Sequence, residues 1–261
     1  MLASARELFD VYSRKARLQP ALLTLFPMFI TVAVHFPGLY TFGAGLIGLA
    51  VTCGVTVWLA DVARSRGRMF ERRLQVKLGG KQTAIWLRHR DESLDPGTKE
   101  HYCAFLASRI PGWQMPTAEE EAADPKRADG NYDRAVAWLI EYTRDTKTYP
   151  LIFKELIVYG FRRNMMGMRP LGIFVGAISI AFNAAVLWWP SLVPNIDIAK
   201  SVAALALSAL ALIGWIVTVT EEAVIDASRC YAKQLLAVCL GDAQGPVVSK
   251  KKSRKTAAAA E

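Results

Sequence analysis

The sequence predicts an all-α membrane protein: four transmembrane helices, paired as two hairpins, flanking a small, mainly helical cytoplasmic domain. Three observations carry that expectation. Apolar residues make up 52% of the 261, and they gather into blocks of about 20 residues, the length that crosses a hydrocarbon core of about 30 Å. Arg and Lys crowd the flanks of these blocks and avoid the links inside each pair. The stretch between the pairs is charged and carries apolar residues at helical spacing.

The first span is expected from Ala21 to Phe36 and the second from Thr41 to Ala60. His35-Phe36-Pro37-Gly38-Leu39-Tyr40 links them, too short for a domain and rich in turn residues. About 20 residues precede the first apolar run and no A-x-A site follows it, so the run reads as a retained span rather than a signal peptide. The third span is expected from Leu171 to Trp189 and the fourth from Val202 to Val219, with Pro190 to Lys200 between them. Pro27 removes one backbone hydrogen bond inside the first span and is expected to kink it.

Charge sets the orientation. Arg6, Arg14, Lys15 and Arg17 precede the first span; Arg64, Arg66, Arg68, Arg72, Arg73 and Lys77 follow the second; Arg162, Arg163 and Arg169 precede the third. By the positive-inside rule both termini and the middle domain are cytoplasmic. Tyr40, Trp188 and Trp189 then stand at the outer ends as an aromatic belt. The expected location is a bacterial inner membrane. The chain divides into an N-terminal amphipathic segment (1–20), a first transmembrane hairpin (21–60), a charged cytoplasmic domain (61–169), a second hairpin (170–220), a cytoplasmic helix (221–241) and a disordered basic tail (242–261).

Within the charged domain, the helix after the second span is expected to continue to Leu78, where Gly79-Gly80 stops it. Gln82 to Leu87 fits a short strand or a helical turn. Asp95-Pro96 is a helix start. Pro111 to Gly130 reads as a loop, Asn131 as the cap of the next helix, and Leu151 to Arg163 as a third. Beyond the fourth span the helix is expected to run to Leu240, with a seam of Val224, Ser228, Tyr231, Leu235 and Val238 packing against the helix at 61–78.

The net charge of +9 points to an anionic membrane surface, because the basic residues flank the spans; nucleic acid is not expected as a partner. The four cysteines, Cys53, Cys103, Cys230 and Cys239, form no CxxC pair. Neither a metal site nor a cofactor is expected. Two groups of basic residues, Arg88-His89-Arg90 and Arg162-Arg163-Asn164, are candidates for binding an anionic ligand or lipid headgroups. His89 with Asp91 is a further acid–base possibility. In the third span Gly172, Gly176, Ser179 and Asn183 share one helix face. Such a face either packs helices closely or lines a water-filled path. Asn183 is a strongly polar side chain deep in a span and needs a partner there.

Asp61-Val62-Ala63-Arg64 is similar to the opening of the motif in lipid enzymes that transfer CDP-linked headgroups. The glycine after the first Asp is missing, and no paired aspartates follow at the required spacing. The chain holds no Walker A loop, HExxH or GxSxG. In architecture alone, apolar hairpins bearing a cytoplasmic domain, it resembles small bacterial membrane effectors of stress and phage-defence systems. The leading expectation is an oligomeric membrane effector or channel-like protein whose cytoplasmic domain senses a protein or small anionic ligand and alters permeability. A non-catalytic scaffold or accessory subunit recruiting cytoplasmic partners is the first alternative. An enzyme acting on an anionic lipid or nucleotide is the second.

Overall fold

The computed structural model describes residues 11–40, 42–193 and 196–241, the side chains of residues 39–53 excepted. Residues 1–10, the basic tail 242–261, the Tyr40 side chain and the apolar side chains that would define most of the second span lie outside that description. The described residues are mainly helical, with no strand among them. The helices are α1 (Val11–His35), α2 (Phe42–Leu78), α3 (Gln82–Leu87), α4 (Pro96–Arg109), α5 (Ala118–Ala123), α6 (Pro125–Tyr142), α7 (Pro150–Trp188), α8 (Ile198–Val217) and α9 (Glu221–Gly241).

Three of these, α1, α7 and α8, are long and apolar enough to cross a membrane. Their outward faces fit that solvent: Leu22, Leu23 and Phe26 on α1, Phe174 and Ile178 on α7, and Leu210 and Ile213 on α8 are all exposed. In water so much bare apolar surface would drive association. At a rise of about 1.5 Å per residue, α7 with its 39 residues is far longer than a hydrocarbon core. It continues out of its apolar stretch into the charged domain, where Ile152 joins the core.

Contacts along α7 set the direction of its neighbours. Tyr12 and Ala16 of α1 lie at Gly160, Asn164 bonds the Ala16 carbonyl, and Thr31 and His35 meet Asn183, so α1 runs parallel to α7. Gly67 meets Gly167 and Glu71 meets Arg163, so α2 is antiparallel. Trp215 lies on Gly172 and Leu212 on Gly176, so α8 is antiparallel too. Ala21, Leu25, Leu59, Ala60, Met168 and Trp215 close one apolar core between these helices.

The second core lies in the charged domain. Leu87, Leu106, Trp113, Tyr132, Val136 and Leu139 bury there with Leu235, Leu236 and Cys239 of α9. Several sequence expectations change here. Of the two readings open for Gln82–Leu87, the structure has the helical one. The segment 111–130 is mostly helical: Thr117 and Glu120 make a reciprocal capping box on α5, and Asp124, not Asn131, caps α6 by accepting from Arg127 N. Asn131 sits inside α6 and donates to the Gln114 carbonyl instead. Residues 151–163 form no separate helix but the start of α7, which passes through Pro170 unbroken. After α8 the chain leaves helix at Thr218 and restarts at Glu221. The α9 seam packs on α7, α3 and α4 rather than along α2, with Tyr231 stacked on Tyr159.

Candidate functional site

Polar side chains meet at three levels of the structure. The first is inside the helix bundle. Asn183 is fully buried. Its amide nitrogen donates to Thr31 Oγ1 at 2.8 Å and to the Ser179 carbonyl at 2.7 Å. Both amide hydrogens are then used, so the Asn183 oxygen accepts, and His35 Nε2–H donates to it at 2.8 Å. The His35 ring also stands edge-on to Phe182, with centroids 5.7 Å apart. Thr31 returns its own hydroxyl to the Pro27 carbonyl at 2.9 Å. Each group thus finds in a neighbouring helix the partner that hydrocarbon cannot supply.

The rest of the Asn183 face is closed by the same chain. A Cβ on Gly172 would fall 2.3 Å from the Trp215 ring, and one on Gly176 would touch Leu212 at 3.4 Å. Ser179 is buried. The small residues therefore serve close approach between α7 and α8 within one chain.

The second level is where α1, α2 and α7 leave the apolar core. Glu71 accepts from Tyr159 Oη at 2.7 Å and from Arg163 Nη1 at 2.8 Å. Asn164 is fully buried and donates to the Ala16 carbonyl at 2.6 Å. That carbonyl lies in a π-helical stretch, Arg14–Leu18, whose turn is one residue wider than an α-helix's. Of the sequence candidates at this level, Arg163 and Asn164 are held by the chain itself. Arg162 points outward and is exposed.

The third level is the charged domain. Glu121 is nearly inaccessible. It accepts from Tyr132 Oη at 2.7 Å, from His89 N at 2.9 Å and from Arg90 Nη1 at 2.9 Å. Burial alone would raise its pKa, but the hydrogen bonds from Tyr132, the His89 and Arg90 backbone and the Arg90 guanidinium together hold it below the ordinary carboxylate value. Arg90 Nη2 also reaches both Asp129 oxygens, at 2.7 and 2.8 Å. Arg88 pairs with Asp129 at 2.8 Å and donates to the Gly79 carbonyl at 2.6 Å. Gly79, at φ 81°, takes the left-handed turn that brings that carbonyl to Arg88. His89 Nε2 bonds the Pro116 carbonyl, while Asp91 caps Ser93. The arrangement brings Arg88 and Arg90 together on acidic partners and does not pair His89 with Asp91.

No protein-family model, curated protein or solved structure matches the chain.

The functional reading therefore rests on the residues alone. Among the described ones, the candidate basic groups other than Arg162 spend their donors on the fold. Neither the partners that decide this (Glu71, Glu121 and Asp129) nor those that hold Asn183 (Thr31 and His35) stand out as such in the sequence. One signal was present: Thr31 and His35 repeat the four-residue spacing of Ser179 and Asn183. The charged domain also opens a cleft of about 730 Å³ between the 112–117 loop and α6, lined by Gln114, Thr117, Asp124, Arg127, Asn131 and Arg134. Glu120 and Asp124 at its edge are engaged in helix caps.

Proposed function

We propose that the chain is a four-span protein of a bacterial inner membrane, with both termini and the charged domain cytoplasmic, and that it works as a non-catalytic membrane scaffold for cytoplasmic partners. The carrying observation is α7 itself. One helix bears Ile152 in the core of the charged domain and Asn183 locked to α1. A load on the domain is transmitted to a packed bundle, which suits an anchor. The parallel course of α1 and α7 supports two hairpins entering the bilayer in the same direction, and the basic flanks support their orientation. The open cleft beside α6 is the surface we assign to a partner.

The effector or channel expectation has less support than this. It drew on the Gly172, Gly176, Ser179, Asn183 face, and that face is occupied by Trp215, Leu212, Thr31 and His35. An enzyme reading has less too, because Arg88, Arg90 and His89 are engaged. The test has two arms. Proteoliposomes of the wild type should hold an ion gradient, and a photo-crosslinker at Gln114 should trap a discrete cytoplasmic protein in cells, lost on Arg127→Glu with Arg134→Glu. Stimulus-dependent flux that Asn183→Leu abolishes, without any crosslinked partner, would replace the scaffold by the effector.

A further inference from the structure

Arg162 and Arg163 are neighbours in sequence with opposite fates. Arg163 is held by Glu71 at 2.8 Å. Arg162 has no hydrogen bond or ion pair with any described residue. It lines a notch of about 170 Å³ between α1, α7 and the break that joins α8 to α9, together with Leu23, Phe161, Met165, Thr218 and Thr220. We propose that this notch binds one anionic phospholipid, with the phosphate on Arg162 and an acyl chain along Leu23, Phe161 and Met165.

The position of the notch along the bundle supports a lipid rather than a free anion. Leu23 stands near the start of the α1 apolar run and is 43% exposed. Its neighbours Leu22 and Phe26 are exposed as well. Thr218 follows directly on Val217, the end of apolar α8. The notch thus straddles the change from hydrocarbon to polar surroundings, where the phosphates of a leaflet lie. Its walls divide the same way, apolar toward the span and polar toward the α8–α9 break.

Its electrostatics select a net negative headgroup. Among the described residues, Arg162 is the one charged residue lining it. Glu221 is drawn off by Lys77 in an ion pair at 2.5 Å, and Glu222 acts on Lys77 too. Among the described residues, no carboxylate lines the notch to receive a choline or ethanolamine. A guanidinium presents paired donors that match phosphate oxygens. The Thr220 hydroxyl oxygen accepts from Ala223 N at 3.3 Å, which leaves its hydrogen free to donate to the same phosphate. The inference rests on the membrane character of the bundle and is independent of the scaffold reading.

The experiment is native mass spectrometry of the full chain, delipidated in mild detergent and titrated with phosphatidylglycerol or phosphatidylcholine. The wild type should retain one phosphatidylglycerol in preference to phosphatidylcholine. Arg162→Gln should weaken that binding about tenfold or more, the loss of one charge-assisted contact, and Arg162→Lys should fall between. Ala223→Leu keeps the arginine and fills the notch, and should weaken binding as well. Arg144→Gln, a remote exposed charge paired with Glu141, should leave it unchanged. Equal retention by wild type and Arg162→Gln overturns the proposal. So does equal binding of the two lipids. Displacement of the lipid by inorganic phosphate at the same concentration would identify a free-phosphate site and overturn it too.

Discussion

His35 Nε2 and Asn183 Oδ1 lie 2.8 Å apart, joining two helices across 148 residues of chain. The bond identifies α1 as the partner that a buried asparagine in α7 requires. It also changes what Asn183→Leu should do. Removing a solvated pore-lining group would alter permeability. Removing this one strands His35 and Thr31 in an apolar interior, so stability should fall. A double-mutant cycle with His35→Leu and Asn183→Leu should give a coupling of about 0.6 kcal/mol, up to about 1.7, the range for hydrogen bonds between membrane helices. Unfolding in mixed micelles measures it, and additive effects would show that the two side chains do not cooperate.

Glycines on the bundle helices should divide by what faces them. A Cβ on Gly167 would come within 2.5 Å of the Gly67 backbone nitrogen. Backbone cannot rotate aside, so Gly167→Ala must push α2 from α7 and lower the melting temperature. Gly214 in α8 has nothing within 4 Å of its Cβ position. There Gly→Ala should be neutral or gain up to about 1 kcal/mol from helix propensity. Thermal melts of the two single variants compare them directly.

What was legible in the sequence follows the range of the interaction. The apolar lengths of α1, α7 and α8 are local facts, and the structure retains them as candidate spans. Helix starts are local too, yet two, at Thr117 and Asp124, fall inside the segment that reads as a loop. Asp124-Pro125 repeats the signal at Asp95-Pro96, within a stretch whose charges and turn residues read as a loop. The close packing of Gly172 and Gly176 was an alternative the small-residue spacing already contained. The Arg clusters misled because charge sign is local whereas neutralisation is not. Glu121 lies 31 residues from Arg90, and Glu71 lies 92 from Arg163. No helical period links such pairs.

Glu121 should make the charged domain acid-sensitive. Its pKa in the folded chain is held below the ordinary 4.5. A depressed carboxylate contributes stability that is fully present above its unfolded value and is lost as pH falls through its folded one. Stability should therefore drop below about pH 4.5. Tyr132 stays a donor throughout, since burial and the Glu121 charge push its hydroxyl up. Glu121→Gln should cost about 1–3 kcal/mol near neutrality and flatten the acid limb. Denaturant titrations followed by Trp113 fluorescence from pH 3 to pH 7 would show whether the two curves converge.

Orientation yields to labelling from outside the cell. With Cys53, Cys103, Cys230 and Cys239 replaced, a cysteine at exposed Ser191 should react with an impermeant maleimide. One at exposed Gly97 should react only after the membrane is opened. The reverse pattern would place the charged domain outside and remove the cytoplasmic partner from the proposed function.

Arg163 and Glu71 provide a test of how firmly α2 and α7 are tied beyond the apolar core. Their side chains are only 13% and 20% exposed, and Tyr159 Oη shares the same carboxylate at 2.7 Å. Breaking one side of such a pair leaves a half-buried charge unpaired, at a cost of about 3 kcal/mol or more where burial is complete and less here. Arg163→Glu places two carboxylates together and should destabilise more than Arg163→Gln. The exchange Arg163→Glu with Glu71→Arg restores opposite charges but not the Tyr159 acceptor. It should recover part of the loss and stop short of wild type. Melting of the four proteins in detergent decides it: if Arg163→Glu melts with the wild type, the pair carries no load and the two helices are held by their apolar core and the Gly67–Gly167 contact.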